Sequence, residues 1–159
     1  MVVNLLRGLD LPGWLLLTDR VAWSIFRSAG AWSFHEPSVL QAQRLNPGDK
    51  AVVYLTSAST KKPSALAAIV EIKAKMRQAS GAGPFDRMYP YQVDFALIHE
   101  PKSFVEFKPL VPLLSFIPHK HHWGVYLQGK SVMAIPPEDA KIITSAMAKA
   151  TASAHVSPA

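Results

Sequence analysis

The sequence predicts a mixed α+β barrel, with about six short strands and three to four helices around them, in an order that never settles into regular strand and helix alternation. Three observations carry this expectation. The chain has 159 residues, which fits a single core of ordinary domain size. Its apolar fraction is 49% and its charged fraction 18%, enough to fill an interior and too weakly charged for a disordered chain. Finally, Tyr91, Val93, Phe95 and Leu97 alternate with Gln92, Asp94, Ala96 and Ile98, the period of two of a strand.

The elements follow in order. Residues 1–13 read as a leader, and Trp14 to Thr18 as a buried strand. Thr18 or Asp19 then caps a helix that runs to about Ala29, buries Val21, Ala22, Ile25, Phe26 and Ala29, and ends at Gly30. Ser38 to Arg44 form a shorter helix closed by the turn Asn46-Pro47-Gly48-Asp49. Ala51 to Thr56 and Ala65 to Lys73 are aliphatic and separated by a polar loop, the pattern of two antiparallel strands. Gly81, Gly83 and Pro84 mark a loop before the period-two strand. Pro109 and Pro112 bracket a helical turn, Trp123 to Leu127 and Ser131 to Ile135 read as two further strands, and a last helix starts at Pro136 or Pro137. That helix carries Ile143, Ala146, Met147 and Ala150 on one face; the domain spans 14–150, and 151–159 read as a flexible tail.

Composition removes several classes of function. Without cysteine there is no disulfide frame, thiolate zinc site or cysteine nucleophile. Arg7, Asp10 and Pro12 interrupt the N-terminal leucines well short of a membrane span, and the pattern of a signal peptide is missing, so a soluble cytoplasmic protein is expected. His119, His121 and His122 beside Lys120 are the sole histidine cluster; with no carboxylate or cysteine among them, neither a metal nor any other cofactor is expected. His35 next to Glu36 reads as a local hydrogen bond rather than an acid and base pair.

Seventeen Lys and Arg against eleven Asp and Glu give a net charge of +6, which favours a polyanionic partner. Lys50, Lys61, Lys62, Lys73, Lys75, Arg77 and Arg87 concentrate in one stretch facing only Glu71 and Asp86, a candidate phosphate-contacting edge. Trp14 and Trp23 read as core, Trp32 as a pocket residue because it sits in a turn, and Trp123 is open between core and pocket rim.

An ordered series of short motifs runs through the chain. It begins with Trp14-Leu15-Leu16-Leu17-Thr18, Gly30-Ala31-Trp32-Ser33-Phe34, and Leu45-Asn46-Pro47-Gly48-Asp49-Lys50 followed by Val53-Tyr54. It continues with Tyr89-Pro90-Tyr91-Gln92-Val93, Leu114-Ser115-Phe116-Ile117, Trp123-Gly124 and Glu138-Asp139. From Trp14 to Ile143 this order resembles the EVE family of PUA-like domains, relatives of the YTH and ASCH domains. Gln92 departs from it, standing where the family commonly has a basic residue.

The resemblance implies a PUA-like barrel with a pocket for a nucleobase, often a modified one, on RNA or DNA. On that analogy Trp32 is a stacking wall, Ser33 hydrogen-bonds the base edge, Thr18 and Asp19 read the base, and Tyr54, Tyr89 or Trp123 complete the pocket. Aromatic stacking gives about 1 to 3 kcal/mol per base. Micromolar binding needs about 8 kcal/mol, so phosphate contacts have to supply the balance. The alternative implied by the superfamily is an ASCH-like amide hydrolase acting on a modified nucleoside, with Thr56, Lys61 or Lys73, and Glu71 as its set. A third is an accessory recognition module that works with a separate effector protein.

Overall fold

The structure, a computed structural model, describes residues 11–57, 62–82 and 87–156, with side chains described through residue 150. Eight strands make up a sheet whose main path runs β2-β6-β4-β3-β1-β8, with β5 on β6 and β7 on β4. These are β1 (Trp14–Thr18), β2 (Ala31–Phe34), β3 (Lys50–Leu55), β4 (Ala65–Ile72), β5 (Arg77–Gln78), β6 (Tyr91–His99), β7 (Val105–Glu106) and β8 (Val132–Ala134). The helices are α1 (Arg20–Ala29), α2 (Val39–Ala42), α3 (Trp123–Leu127) and α4 (Pro137–Val156). Among the described residues only β1 and β3 pair in parallel; the other pairings are antiparallel.

The central strands are apolar over most of their length because both faces are covered. Leu16 of β1 with Ala51, Val53 and Leu55 of β3 pack on one side, together with α1, α2 and β2. Leu15 and Leu17 with Val52 and Tyr54 pack on the other, against Phe107, Val111, Leu114 and α4. Register shifts near Val53/Tyr54 and Ile69/Val70 break the ladders, and such bulges increase local twist. The sheet curls into a mixed half-barrel, the expected α+β class.

β6 bridges the curl. Tyr91 to Asp94 pair with β2, whereas Phe95 to His99 pair with β4. The Asn46-Pro47-Gly48-Asp49 turn forms as predicted, with Gly48 at φ 94° and the Asp49 N–H donating to Asn46 O at 3.0 Å, the signature of a type II turn that favours glycine at its third position. Asp49 Oδ2 also accepts from the half-buried Trp14 indole at 3.1 Å. On α4, the buried Asp139 accepts from Ser115 N–H, Ser115 Oγ–H and Phe116 N–H, each at 2.8 Å, and so fixes the preceding loop.

Three expectations need correction. Residues 123–127 are a short helix, not a strand, because the segment follows a tight 3₁₀ turn (Lys120–His122) and has no strand to pair with. On α1 the buried residues are Trp23 and Phe26, while Val21 and Ala29 face outward; the two aromatic rings decide which face turns inward. The last helix continues to Val156 rather than giving way to a tail after Ala150.

Candidate functional site

The C-terminal ends of β1 and β3 lie side by side, Thr18 opposite Leu55, and where they stop a cleft of about 390 Å³ opens. Its walls come from Thr18 at the end of β1 and Asp19 just after it, Ala22 and Phe26 of α1, Trp32 and Ser33 of β2, and then His35, Thr56, Tyr89 and the turn 129–131. The chain leaves β1 straight into α1 because Asp19 caps the helix, its Oδ1 accepting from the Ala22 N–H at 2.8 Å. Gly30, at φ 67°, ends α1 in the left-handed conformation, with its N–H on Phe26 O at 2.8 Å, so β2 can begin at once. Across β2, Ser33 faces Gln92, whose Nε2 donates to Ser33 Oγ at 3.4 Å.

A second turn closes the cleft. Gln128 sits at φ −61°, ψ 134° and Gly129 at φ 77°, and the Lys130 N–H donates to Leu127 O at 3.3 Å, again a type II geometry. The Leu17 N–H, donating to Ser131 O at 2.9 Å, ties this turn to β1.

Thr18, Asp19, Trp32, Ser33 and Tyr89 of the predicted pocket therefore meet in one cleft. Trp32 does so from within the core and not as a free stacking wall. It is 1% exposed, with ring centroids 5.0 Å from Phe26 and 5.9 Å from Trp23. The sequence reading placed it in a turn, but it lies on β2, whose four residues are all buried. Tyr89 and His35 are half-buried and meet edge to face, with centroids 5.8 Å apart. The His35 Nδ1 lies 3.2 Å from Ser38 Oγ, while Glu36 accepts from the Tyr91 hydroxyl and thereby raises the pKa of that phenol. His35 and Glu36 thus bond separate local partners, Ser38 and Tyr91, and not each other as the expected pair.

Tyr54 and Trp123 line a neighbouring cleft of about 570 Å³, which shares Thr56, Gly129 and Lys130 with the first. Tyr54 is 3% exposed and edge-on to Phe107 at 4.8 Å; burial pushes its hydroxyl pKa up, and a hydrogen bond with Ser64 opposes that shift. Trp123 is half-buried with its ring 5.6 Å from Phe107, so it is both packed and part of the rim.

The candidate phosphate edge disperses in space. Lys50 and Lys73 both pair with Glu71, at 3.3 and 2.9 Å. Lys75 Nζ is held by Gln43 O at 2.6 Å, Leu45 O at 3.2 Å and Asn46 Oδ1 at 3.0 Å. These three lysines sit at the Lys50 end of the β3–β4 hairpin, whereas the cleft adjoins its Leu55 end, roughly 16 Å away at strand rise. Closeness along the sequence did not translate into closeness to the site. Arg77 is nearer, paired in register with Gln92 and bonded to Asp94 Oδ1 at 2.9 Å. Lys62 and Arg87 are exposed and form no ion pair among the described residues; Lys61 lies outside them.

The same separation keeps the hydrolase set apart, since Thr56 and Glu71 fall at opposite ends of the hairpin. Among the described residues no group of three or more His, Cys, Asp or Glu is arranged to hold a metal. Likewise, no described helix is long and apolar enough to cross a membrane. His35, Lys130 and Ser131 line the cleft without having been assigned to a pocket from the sequence, and Thr56, which lines it too, had been named only for the alternative hydrolase set. His35 had a usable signal: it stands two residues after Ser33 on an extended segment, and such residues share a face.

Comparison with known proteins places these observations. The family model described as EVE domain matches residues 13–146. A UPF0310 protein of Pyrococcus abyssi is 32% identical over 142 residues, covering 83% of this chain and 96% of the relative. Among solved structures, the YTH domain of Zygosaccharomyces rouxii MRB1, in complex with N6-methyladenosine RNA, superposes with a TM-score of 0.63 at 15% identity, covering 89% of this chain and 92% of that one. Human THYN1 in complex with DNA containing 5-methylcytosine superposes with a TM-score of 0.57 at 14% identity, covering 84% and 96%. On the family model that spans most of its length and on the relative from Pyrococcus abyssi, the chain belongs to the EVE domain family.

Proposed function

We propose that this chain reads nucleic acid by taking one modified base, flipped out of its strand, into the cleft between β1, α1 and β2. The observation that carries the reading is the meeting of Thr18, Asp19, Ser33 and Tyr89 in a single cleft over an apolar floor of Leu17, Phe26 and Trp32. Two proteins of the same fold, crystallised with N6-methyladenosine RNA and with 5-methylcytosine DNA, support it by analogy.

A base offers a flat apolar face and an edge that only hydrogen bonds distinguish. Tyr89 and His35 supply rings at the cleft wall, and the Ser33, Thr18 and Thr56 hydroxyls can donate or accept. Asp19 only accepts when ionised, which favours an exocyclic amino N–H such as adenine N6 or cytosine N4 and repels a phosphate. The backbone therefore stays outside, where the exposed Lys130 stands at the rim. Arg77, 46% exposed at its side chain, adds a second cation, because exposed ion pairs are worth only about 0–1 kcal/mol and exchange readily for a phosphate.

The test is anisotropy titration of labelled single-stranded RNA and DNA carrying plain, N6-methylated or 5-methylated bases, at low salt, with wild type and Tyr89→Ala. A preference of about tenfold or more for one methylated base, or 1.4 kcal/mol, lost in the variant at unchanged melting temperature, is expected. Equal affinity for plain and methylated strands, or none for either, refutes the reading.

A further inference from the structure

We propose that the neighbouring cleft is a second subsite, which holds the nucleotide next to the flipped base while Lys130 contacts the phosphate between them. The proposal rests on the base-reading role of the first cleft and extends the recognised unit from one nucleotide to two.

Three observations lead here. The two clefts are adjacent and share Thr56, Gly129 and Lys130, so one narrow ridge separates them. Two backbone bonds hold that ridge: its type II turn closes through the Lys130 N–H on Leu127 O at 3.3 Å, and the Leu17 N–H donates to Ser131 O at 2.9 Å beside it. Lys130 is exposed on the ridge, with its Nζ donating to Tyr126 O at 2.6 Å and lying 4.5 Å from the Tyr126 ring centroid. A cation carried by a residue that lines both cavities suits the bridging phosphate of a dinucleotide, which it reaches by leaving the Tyr126 carbonyl.

The chemistry of the second cleft repeats that of the first without its carboxylate. Trp123 offers an indole, and Tyr54, Ser64 and Gln128 offer hydroxyl and amide groups that both donate and accept. None of its lining residues is acidic, so the sugar and phosphate of a neighbouring nucleotide meet no repulsion. At about 570 Å³ it has room for a base with its sugar. Stacking on Trp123 then selects for a second base of any identity, since every base has an aromatic face.

The experiment compares, by calorimetry, a nucleoside monophosphate carrying the preferred methylated base with the two dinucleotides that extend it by thymidine or uridine on its 5′ or its 3′ side. Wild type, Gln128→Ala and Trp123→Leu are titrated, each with its melting temperature measured. One of the two dinucleotides is expected to bind at least about tenfold more tightly than the monophosphate, a stacking energy of 1.4 kcal/mol. Both variants should lose that gain while keeping the monophosphate affinity of wild type. If both dinucleotides bind like the monophosphate, or if the gain survives in Gln128→Ala and Trp123→Leu, the second subsite is wrong and the base reader stands. Binding of neither the monophosphate nor any dinucleotide overturns both. Gln128 is exposed in a turn, so its variant stays informative should Trp123→Leu fail to fold.

Discussion

Replacing Trp32 by alanine separates a core role from a stacking role. Its ring is 1% exposed and lies among Trp23, Phe26 and Phe95, with centroid separations of 5.9, 5.0 and 6.3 Å. A buried aromatic removes about 150–250 Å² from water. At ~25 cal/mol per Å² this is worth about 4–6 kcal/mol, an upper figure because the unfolded chain already buries part of it. Cavity-forming Trp→Ala changes cost about 3–5 kcal/mol, so a loss near 4 kcal/mol is expected. For a domain of this size that lowers Tm by about 8–16 °C. Urea unfolding followed by far-UV circular dichroism measures the loss directly. Trp32→Phe, which keeps a ring in the core, should bind nucleic acid within about fivefold of wild type, or 1 kcal/mol. A Trp32→Ala protein destabilised by less than about 1 kcal/mol, yet unable to bind, would refute the core assignment.

Other expectations follow from the same geometry. Gly48→Ala and Gly129→Ala each force an L side chain into the left-handed region at a cost of about 1–2 kcal/mol; the first should leave binding untouched and the second should weaken it, as paired melting and anisotropy curves will show. Asp139→Ala strands the N–H groups of Ser115 and Phe116, and chemical denaturation should register a loss of about 2–4 kcal/mol. Burial holds the His99 imidazole below its ordinary pKa, so below about pH 6.5 the unfolded chain binds protons that the folded chain does not. Stability is then intact above that pH and lost as the pH falls, and the drop in Tm from about pH 8 to about pH 5 should be smaller in His99→Gln. Lys130→Ala should reduce the salt slope of oligonucleotide binding by about 1, whereas Lys75→Ala, far from the cleft, should leave it unchanged.

Local chemistry made much of the fold legible. Asp19 and Gly30 announced the limits of α1, and Pro47-Gly48 announced the turn into β3, because caps and turns depend on residues close in sequence. The family resemblance brought Thr18, Asp19, Ser33 and Tyr89 to the cleft. Trp32 was misread because its strand is only four residues long, too short for a period of two to stand out beside a glycine. The basic stretch misled for the converse reason: β3 carries the chain from one end of the sheet to the other, and Lys50, Lys73 and Lys75 are bound to groups at the far end. Lys130 escaped because its place depends on which loops converge above β1, and nothing local encodes that; His35 was passed over although its spacing from Ser33 on an extended segment carried a signal.

The exchange of partners along β6 has its own consequence. One wall of the cleft belongs to β1 and β3, the other to β2, and in the sheet β2 reaches those strands only through β6 and β4. The Phe95 N–H on Gly30 O at 3.0 Å and the Lys73 N–H on Asp94 O at 2.8 Å clamp the point where β6 changes neighbours. That seam lines neither cleft, so a substitution there can shift one wall against the other while every cleft-lining side chain stays in place.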